Sequence, residues 1–297
     1  MILKHSYKIK IALSGLPKKD WWGSGIVAYQ DNDMMVDGAK PKQTILESEY
    51  HKLVNMVKSV GLETTIVPFS NVLEKEEKFD FIFMRDHFLC NTNKKIVMCN
   101  MRLEERLNEG NFVVETMEKS GYIVSYLPNK DCLAEGGEFF YLPKENILLA
   151  GLCRNNLKGA ESMAELMEVD QLHIIESSGY HLDTAICPIF NNEYDCIGIN
   201  CAKEVFNNKN YDVLSHLSKT YNWELLNIEN QDSKKSLVAR SAMNCLTLPA
   251  LLIGTSPINN KKVLDFANQH DIQMHVSNVS QFNLSGGSVH CLTNELF

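Results

Sequence analysis

The chain has 297 residues, with 29 basic and 37 acidic side chains and a formal net charge of −8. With 44% hydrophobic and 22% charged residues it has globular proportions, which exclude a disordered chain, and its negative field would repel a phosphate backbone, which excludes nucleic acid as an expected partner. The length suits either two domains of roughly 150 residues or one repeat-built α/β body.

Residues 1–17 carry Lys4, Lys8 and Lys10 but no apolar run of the length a signal peptide needs. The longest apolar run, Leu248 to Ile253, is strand-sized and interrupted by Pro249, so no membrane association is expected. Read onward for period, residues 9–14 form a strand and 63–68 another. Between them 45–60 form a helix with Leu46, Tyr50, Leu53, Val54, Val57 and Val60 on one stripe, stopped by Gly61. The connection 17–41 is long enough to be either a lid or a mobile loop. Strands follow at 80–89 and 95–99, a helix at 103–119, strands at 122–127 and 147–152, a helix at 159–169 and a strand at 173–176. Residues 181–190 and 196–200 read as paired strands, 211–221 as a helix, 242–254 as strand pairs, 261–270 as a helix and 273–276 as a strand.

Strands and helices alternate rather than segregate, so the class is α/β. A unit of strand, strand, helix, strand returns about every 55 to 60 residues, and no proline-rich linker divides the copies. One domain over 1–297 is expected. Nine cysteines, an odd number with no CxxC spacing, argue against a disulfide framework and a zinc ribbon and for a reducing, cytoplasmic compartment.

Three glycine-adjacent segments carry ionisable residues: Glu135-Gly136-Gly137, His181-Leu182-Asp183-Thr184 after Gly179, and Gly286-Gly287-Ser288-Val289-His290-Cys291. Each alone reads as an ordinary turn or strand end. Together they supply a cysteine nucleophile, a proton carrier and an orienting carboxylate in Cys291, His181 and Glu135. A period of two would put His181 and Asp183 on one side of a strand. Arg85-Asp86, after the apolar run Phe81-Ile82-Phe83-Met84, adds a further carboxylate. Asp86, Glu135 and Asp183 around one thiol would raise its pKa and weaken it, unless the substrate is itself a cation that they hold. A planar guanidinium, able to give paired hydrogen bonds to carboxylates, fits that requirement.

In Met84-Arg85-Asp86, Glu135-Gly136-Gly137, His181-Leu182-Asp183-Thr184 and Gly286-Gly287-Ser288-Val289-His290-Cys291-Leu292-Thr293, in that order, the chain resembles the guanidine-modifying enzymes of the pentein fold. These include arginine deiminases, dimethylarginine dimethylaminohydrolases, agmatine deiminases and amidinotransferases. The resemblance covers nearly the whole chain. It implies a five-bladed α/β propeller around a central polar cavity, with Cys291 as nucleophile, His181 as acid and base, and Glu135, Asp86 and Asp183 orienting the histidine or gripping the guanidinium. From Phe81 to about Ala164 the likeness is closer to the dimethylarginine enzymes. There Gly151-Leu152-Cys153-Arg154-Asn155-Asn156 resembles the segment whose arginine, here Arg154, holds the substrate α-carboxylate. Arg106 matches a second such arginine, with Arg102 competing for the role. Asp183 and the Gly286-Gly287 pair instead resemble the deiminases and transferases.

The expected activity is hydrolysis of a free arginine-type guanidine through a covalent amidino-thioether on Cys291, with a dimethylarginine hydrolase or an amidinotransferase as alternatives. Some pentein proteins bind without catalysis, but such a protein has no reason to keep the whole nucleophile set. No HExxH, P-loop or GxGxxG is present, and no metal or organic cofactor is expected. The expected partner is a small guanidine; homo-oligomerisation stays open.

Overall fold

The computed structural model describes residues 8–18, 20–228 and 243–297. Lys4 and Ala242, both touched by the sequence reading, lie outside the described residues.

The described strands form five three-stranded sheets of one pattern. In the first, β1 (Lys10–Ser14) runs parallel to β2 (Glu63–Val67), joined through helix α1 (Gln43–Ser59). In the second, β3 (Phe88–Cys90) is antiparallel to β4 (Lys95–Met98), which crosses through α2 (Asn111–Lys119) to a parallel β5 (Ile123–Tyr126). The third repeats this with β6 (Phe139–Leu142), β7 (Ile147–Ala150), α3 (Leu157–Met167) and β8 (Gln171–Ile174). The fourth uses β9 (Ile186–Phe190), β10 (Cys196–Cys201), α4 (Asn208–Tyr221) and β11 (Glu224–Asn227). The fifth uses β12 (Leu246–Leu248), β13 (Leu251–Gly254), α5 (Lys261–Gln269) and β14 (Gln273–Val276). The first sheet gains its antiparallel member from the far end of the chain, where β15 (Asn294–Leu296) pairs with β1. The chain is α/β, with five repeated units.

Local chemistry explains the crossovers. Asn156, Asn207 and Asn260 each cap a helix by accepting the backbone N–H three residues on, which satisfies one of the donors every helix start leaves open. Burial then sorts the strands of each sheet. The leading strands, such as β3 and β9, are buried throughout, whereas the trailing strands β5 and β8 have no fully buried residue. Polar groups placed just before a leading strand are therefore delivered to the interior.

Several expected elements differ. Residues 80–89 are not one strand but two 3-10 turns, Phe79–Ile82 and Met84–His87, followed by the short β3. That run is apolar because it is buried, and periodicity cannot separate a buried strand from a buried turn. The helix expected at 103–119 begins only at Asn111; before it lie a 3-10 turn at Glu104–Arg106 and a left-handed Asn108. Residues 182–184 form a 3-10 turn rather than the start of a strand, so side alternation is not what brings His181 and Asp183 together. The apolar β6, Phe-Phe-Tyr-Leu, was not anticipated.

The long connection 17–41 is a packed cover. Trp21 lies edge-on to Phe282 and Trp22 packs on Phe79, Met35 bridges to Ser285, and the Val36 N–H donates to the Leu284 carbonyl at 2.9 Å.

Candidate active site

Polar residues just upstream of the leading strands meet. Asp86 stands on the turn before β3, Glu135 immediately before the turn leading to β6, and His181 and Asp183 on the turn before β9. Asn244 precedes β12, and Cys291 lies on a four-residue helix, Val289–Leu292, before β15. A small cavity is lined by Asp86, His181, Asp183 and Cys291, with Tyr29 and Asn32 from the cover above them.

On one side is the histidine. His181 Nε2 donates to Glu135 Oε2 at 2.8 Å, and its Nδ1 lies 3.7 Å from Asp86 Oδ1. Burial by itself would lower the His181 pKa, but Asp86 and Glu135 outweigh it and hold the imidazolium up to about 9. Both carboxyls are correspondingly held below their ordinary values: burial opposes this, but His181 and, for Asp86, Arg106 prevail. The other Glu135 oxygen accepts the Arg102 backbone N–H at 2.8 Å, which fixes the carboxylate. Gly137 allows this close assembly, because a Cβ there would lie 2.5 Å from His181 Nδ1 and 2.9 Å from Asp86 Oδ1.

On the other side is the thiol. The Cys291 Sγ–H points to Asp183 Oδ2 at 3.6 Å, and its backbone N–H donates to Asn244 Oδ1 at 3.1 Å. Burial pushes the thiol well above its usual range, and Asp183 and Asp86 push it further. Asp183 Oδ2 also accepts from His290 Nδ1 at 2.8 Å, while Asp183 Oδ1 is buried with no hydrogen-bond partner. A carboxyl oxygen shut away from water without a partner is costly, so the site as it stands calls for a cation or an N–H.

Arg106 does not sit as an open anion site. Its Nη1 donates to Asp86 Oδ2 at 2.6 Å, its Nε to Glu109 Oε2 at 3.0 Å and its Nη2 to the Asp80 carbonyl at 3.0 Å. Arg106 lines the cavity and in this structure braces Asp86. Arg102 is also engaged, donating from Nη1 to the Cys153 carbonyl at 2.7 Å. Arg154 is fully buried and lies 4.2 Å from the ring centroid of Tyr180, a cavity-wall residue. One of its nitrogens donates to Asp31 of the cover at 2.9 Å, while Nε and Nη1 have no partner. Arg154 therefore keeps donors in reserve behind Tyr180, whereas Arg106 lines the cavity with its guanidinium engaged by Asp86 and Glu109.

The sequence reading did not single out Asn244, Tyr29, Asp80 or Glu138. Glu138 accepts the backbone N–H groups of Arg154 and Leu182 and so ties two site segments together. Burial raises its pKa to about 7. The repeat itself was the available signal for Asn244: every other leading strand has a site residue just upstream, and Asn244 fills that place in the fifth unit. Among the described residues no group of three or more His, Cys, Asp or Glu could hold a metal ion, and no helix is long and apolar enough to cross a membrane.

The family model for eukaryotic N,N dimethylarginine dimethylhydrolase matches residues 27–297. The chain belongs to this family. It is thereby a member of the guanidine-modifying pentein superfamily and a hydrolase acting on guanidino C–N bonds. No curated protein sequence matches it. Among solved structures, the substrate-bound N-terminal domain of ArgZ, an arginine dihydrolase of the ornithine-ammonia cycle in cyanobacteria, superposes with a TM-score of 0.78 at 18% identity over 97% of both chains. Unliganded AgrE gives 0.79 at 19% identity, with 97% of this chain covering 39% of that longer one. A dimethylarginine dimethylaminohydrolase (DDAH) from Pseudomonas aeruginosa, complexed with citrulline, gives 0.69 at 16% identity over the full length of both. At these identities the structures speak for the fold.

Proposed function

We propose that this protein hydrolyses the guanidinium of a free arginine-type amino acid, with unmethylated arginine as its substrate, and that its five units surround the cavity as the blades of one single-domain propeller. The observation that carries the substrate class is Asp183 Oδ1, a buried carboxylate oxygen without a donor beside the Cys291 thiol. A guanidinium N–H completes it, and the incoming positive charge offsets the two carboxylates that hold the thiol protonated. As the cation binds, the Cys291 thiol releases its proton to solvent water and the thiolate attacks the guanidinium carbon, while the His181 imidazolium protonates the departing nitrogen. Neutral His181 next takes a proton from water, whose oxygen adds to carbon; the C–S bond breaks and a ureido product leaves. Glu135 and Asp86 keep His181 charged for the first step, and Arg106 keeps Asp86 in place. Asp31 on Arg154 marks where the substrate α-carboxylate would bind.

A second reading is favoured by the family match over residues 27–297, by which dimethylarginine would be the substrate and dimethylamine the leaving group. The oxygens of Asp86 are already taken by Arg106 and by the Gly137 N–H at 3.2 Å, so one flank of the guanidinium need not offer an N–H. An amidinotransferase differs from both only in the acceptor. Mass spectrometry of products after incubation with arginine, dimethylarginine and agmatine, each with and without glycine, separates these readings. Absence of any ureido or transferred-amidino product would overturn the proposal.

A further inference from the structure

A second, larger cavity lies under the other half of the cover, and Tyr29 and Asp80 belong to the walls of both cavities. Between the two, the Tyr29 hydroxyl donates to Asp80 Oδ2 at 2.6 Å and the Ser285 hydroxyl to Asp80 Oδ1 at 3.0 Å. The lining of the outer chamber carries Glu76, Glu77, Asp80, Glu105 and Glu109 against a single cation, Lys78. Glu109 is 1% exposed, and its Oε1 has no hydrogen-bond partner although Oε2 is held by Arg106. An acidic chamber with an unsatisfied, buried carboxylate oxygen is built for a small cation bearing N–H groups.

The two-step chemistry creates a need for such a place. As the C–S bond forms, the bond from carbon to the leaving nitrogen breaks, and that nitrogen takes a proton from His181 and departs as ammonia or an alkylamine. Water must replace it before the thioether can be hydrolysed, while the rest of the substrate is still attached to Cys291. We infer that the chamber behind Tyr29 and Asp80 is the exit for the amine and the entry for water, binding the amine in its protonated, ammonium form. The inference rests on the hydrolytic reading above. Burial, Arg106 and Asp80 together leave the Glu109 carboxyl at about 8, so it can release a proton to an amine arriving near neutral pH.

The probe is dimethylammonium chloride, followed through its methyl signal by saturation-transfer NMR on the Cys291→Ala protein at constant ionic strength. Binding is expected, at least tenfold weaker in a Cys291→Ala protein that also carries Glu109→Gln, and undisturbed by saturating arginine. Equal binding with Glu109→Gln, or displacement by arginine, would place the cation elsewhere and overturn the inference. The transport role is read with Ser24→Trp, which puts a bulky ring on the lining of this chamber and not on that of the catalytic cavity. It should abolish dimethylammonium binding, leave formation of the Cys291 adduct within about twofold and slow adduct decay at least tenfold in intact-mass time courses. Retained dimethylammonium binding, or decay at the original rate once binding is lost, would sink the inference. Because dimethylammonium binding is measured without turnover, a protein that forms no adduct with any guanidine fails the hydrolytic reading on different data.

Discussion

Asp183 divides its two oxygens: Oδ2 is shared by His290 Nδ1 at 2.8 Å and the Cys291 thiol at 3.6 Å, and Oδ1 is left without a partner. His290 is itself pinned, its ring stacked on Phe140 with centroids 5.0 Å apart, and burial together with Arg85 lowers its pKa. One carboxylate thus restrains the nucleophile and presents a charge to the substrate. Replacing Asp183 with Asn should separate these duties. The thiol pKa should fall, because an anionic neighbour is removed, and kcat/KM should drop about ten- to a hundredfold, as loss of a charge-assisted contact costs ~1.5–3 kcal/mol. Alkylation rate against pH reads the first effect and steady-state kinetics the second. A rise in both would mean that Asp183 only suppresses the thiol.

Cys291→Ser should abolish turnover with the fold intact. In the resting protein the thiol is protonated, so iodoacetamide should react slowly, whereas a cationic haloacetamidine brings the charge that Asp183 lacks. Its rate at Cys291, normalised to a free thiol, should exceed that of iodoacetamide at least tenfold, as shown by peptide mapping. Neutral and cationic reagents reacting alike would remove the argument for substrate-supplied activation.

The pH dependence follows from His181, whose value rises from 6.5 to about 9 on folding. The stability this contributes is complete below pH 6.5 and is lost as pH climbs through about 9, so Tm should decline across that window. The alkaline limb of kcat/KM should fall near the same value as the general acid loses its proton. Glu135→Gln removes an anionic partner and should move that limb to lower pH with a loss of about ten- to a hundredfold in rate. An unmoved limb would assign the titration to another group.

Arg154→Ala should penalise arginine by ~1.5–3 kcal/mol in kcat/KM and leave agmatine, which lacks the α-carboxylate, almost unchanged. Equal losses on both would make Arg154 a structural residue. Arg106→Ala should instead damage both substrates, because it strips the brace from a buried Asp86, and should lower stability by ~3–5 kcal/mol in denaturant titrations.

Arginine should exceed dimethylarginine in kcat/KM by about tenfold or more, since one flank of the guanidinium meets the Asp183 carboxylate and a methyl there would leave a charge unpaired. The opposite preference would show that the dimethylated nitrogen sits on the Asp86 flank, and would make dimethylarginine the substrate.

The alternation of strand and helix was legible because trailing strands and crossover helices have one wet face and so keep a period; residues 273–276 form β14 with those very limits. Leading strands and their turns are buried all round, which erases the period, and there 80–89 and 139–142 were misread or missed. The titratable set of the cavity was legible from residue types beside glycines. What could not be read was which donors are already spent. Arg106 and Arg154 look alike in sequence, and only the positions of Asp86 and Glu109 around the first show that its donors are engaged.

The last strand has a consequence for how the site is lost. Asn294 Nδ2 donates to carbonyls of Met84, Arg85 and Phe88, and the Arg85 guanidinium pairs with Glu295 at 2.6 Å. Residues three and four positions beyond the thiol therefore grip the turn that carries Asp86, while Ile11 pairs with Glu295 across the first sheet. Opening that sheet withdraws Cys291 and loosens Asp86 in one event. Activity should therefore vanish with the first sheet rather than by degrees, so that loss of activity and loss of that sheet's amide protection coincide on heating or in denaturant.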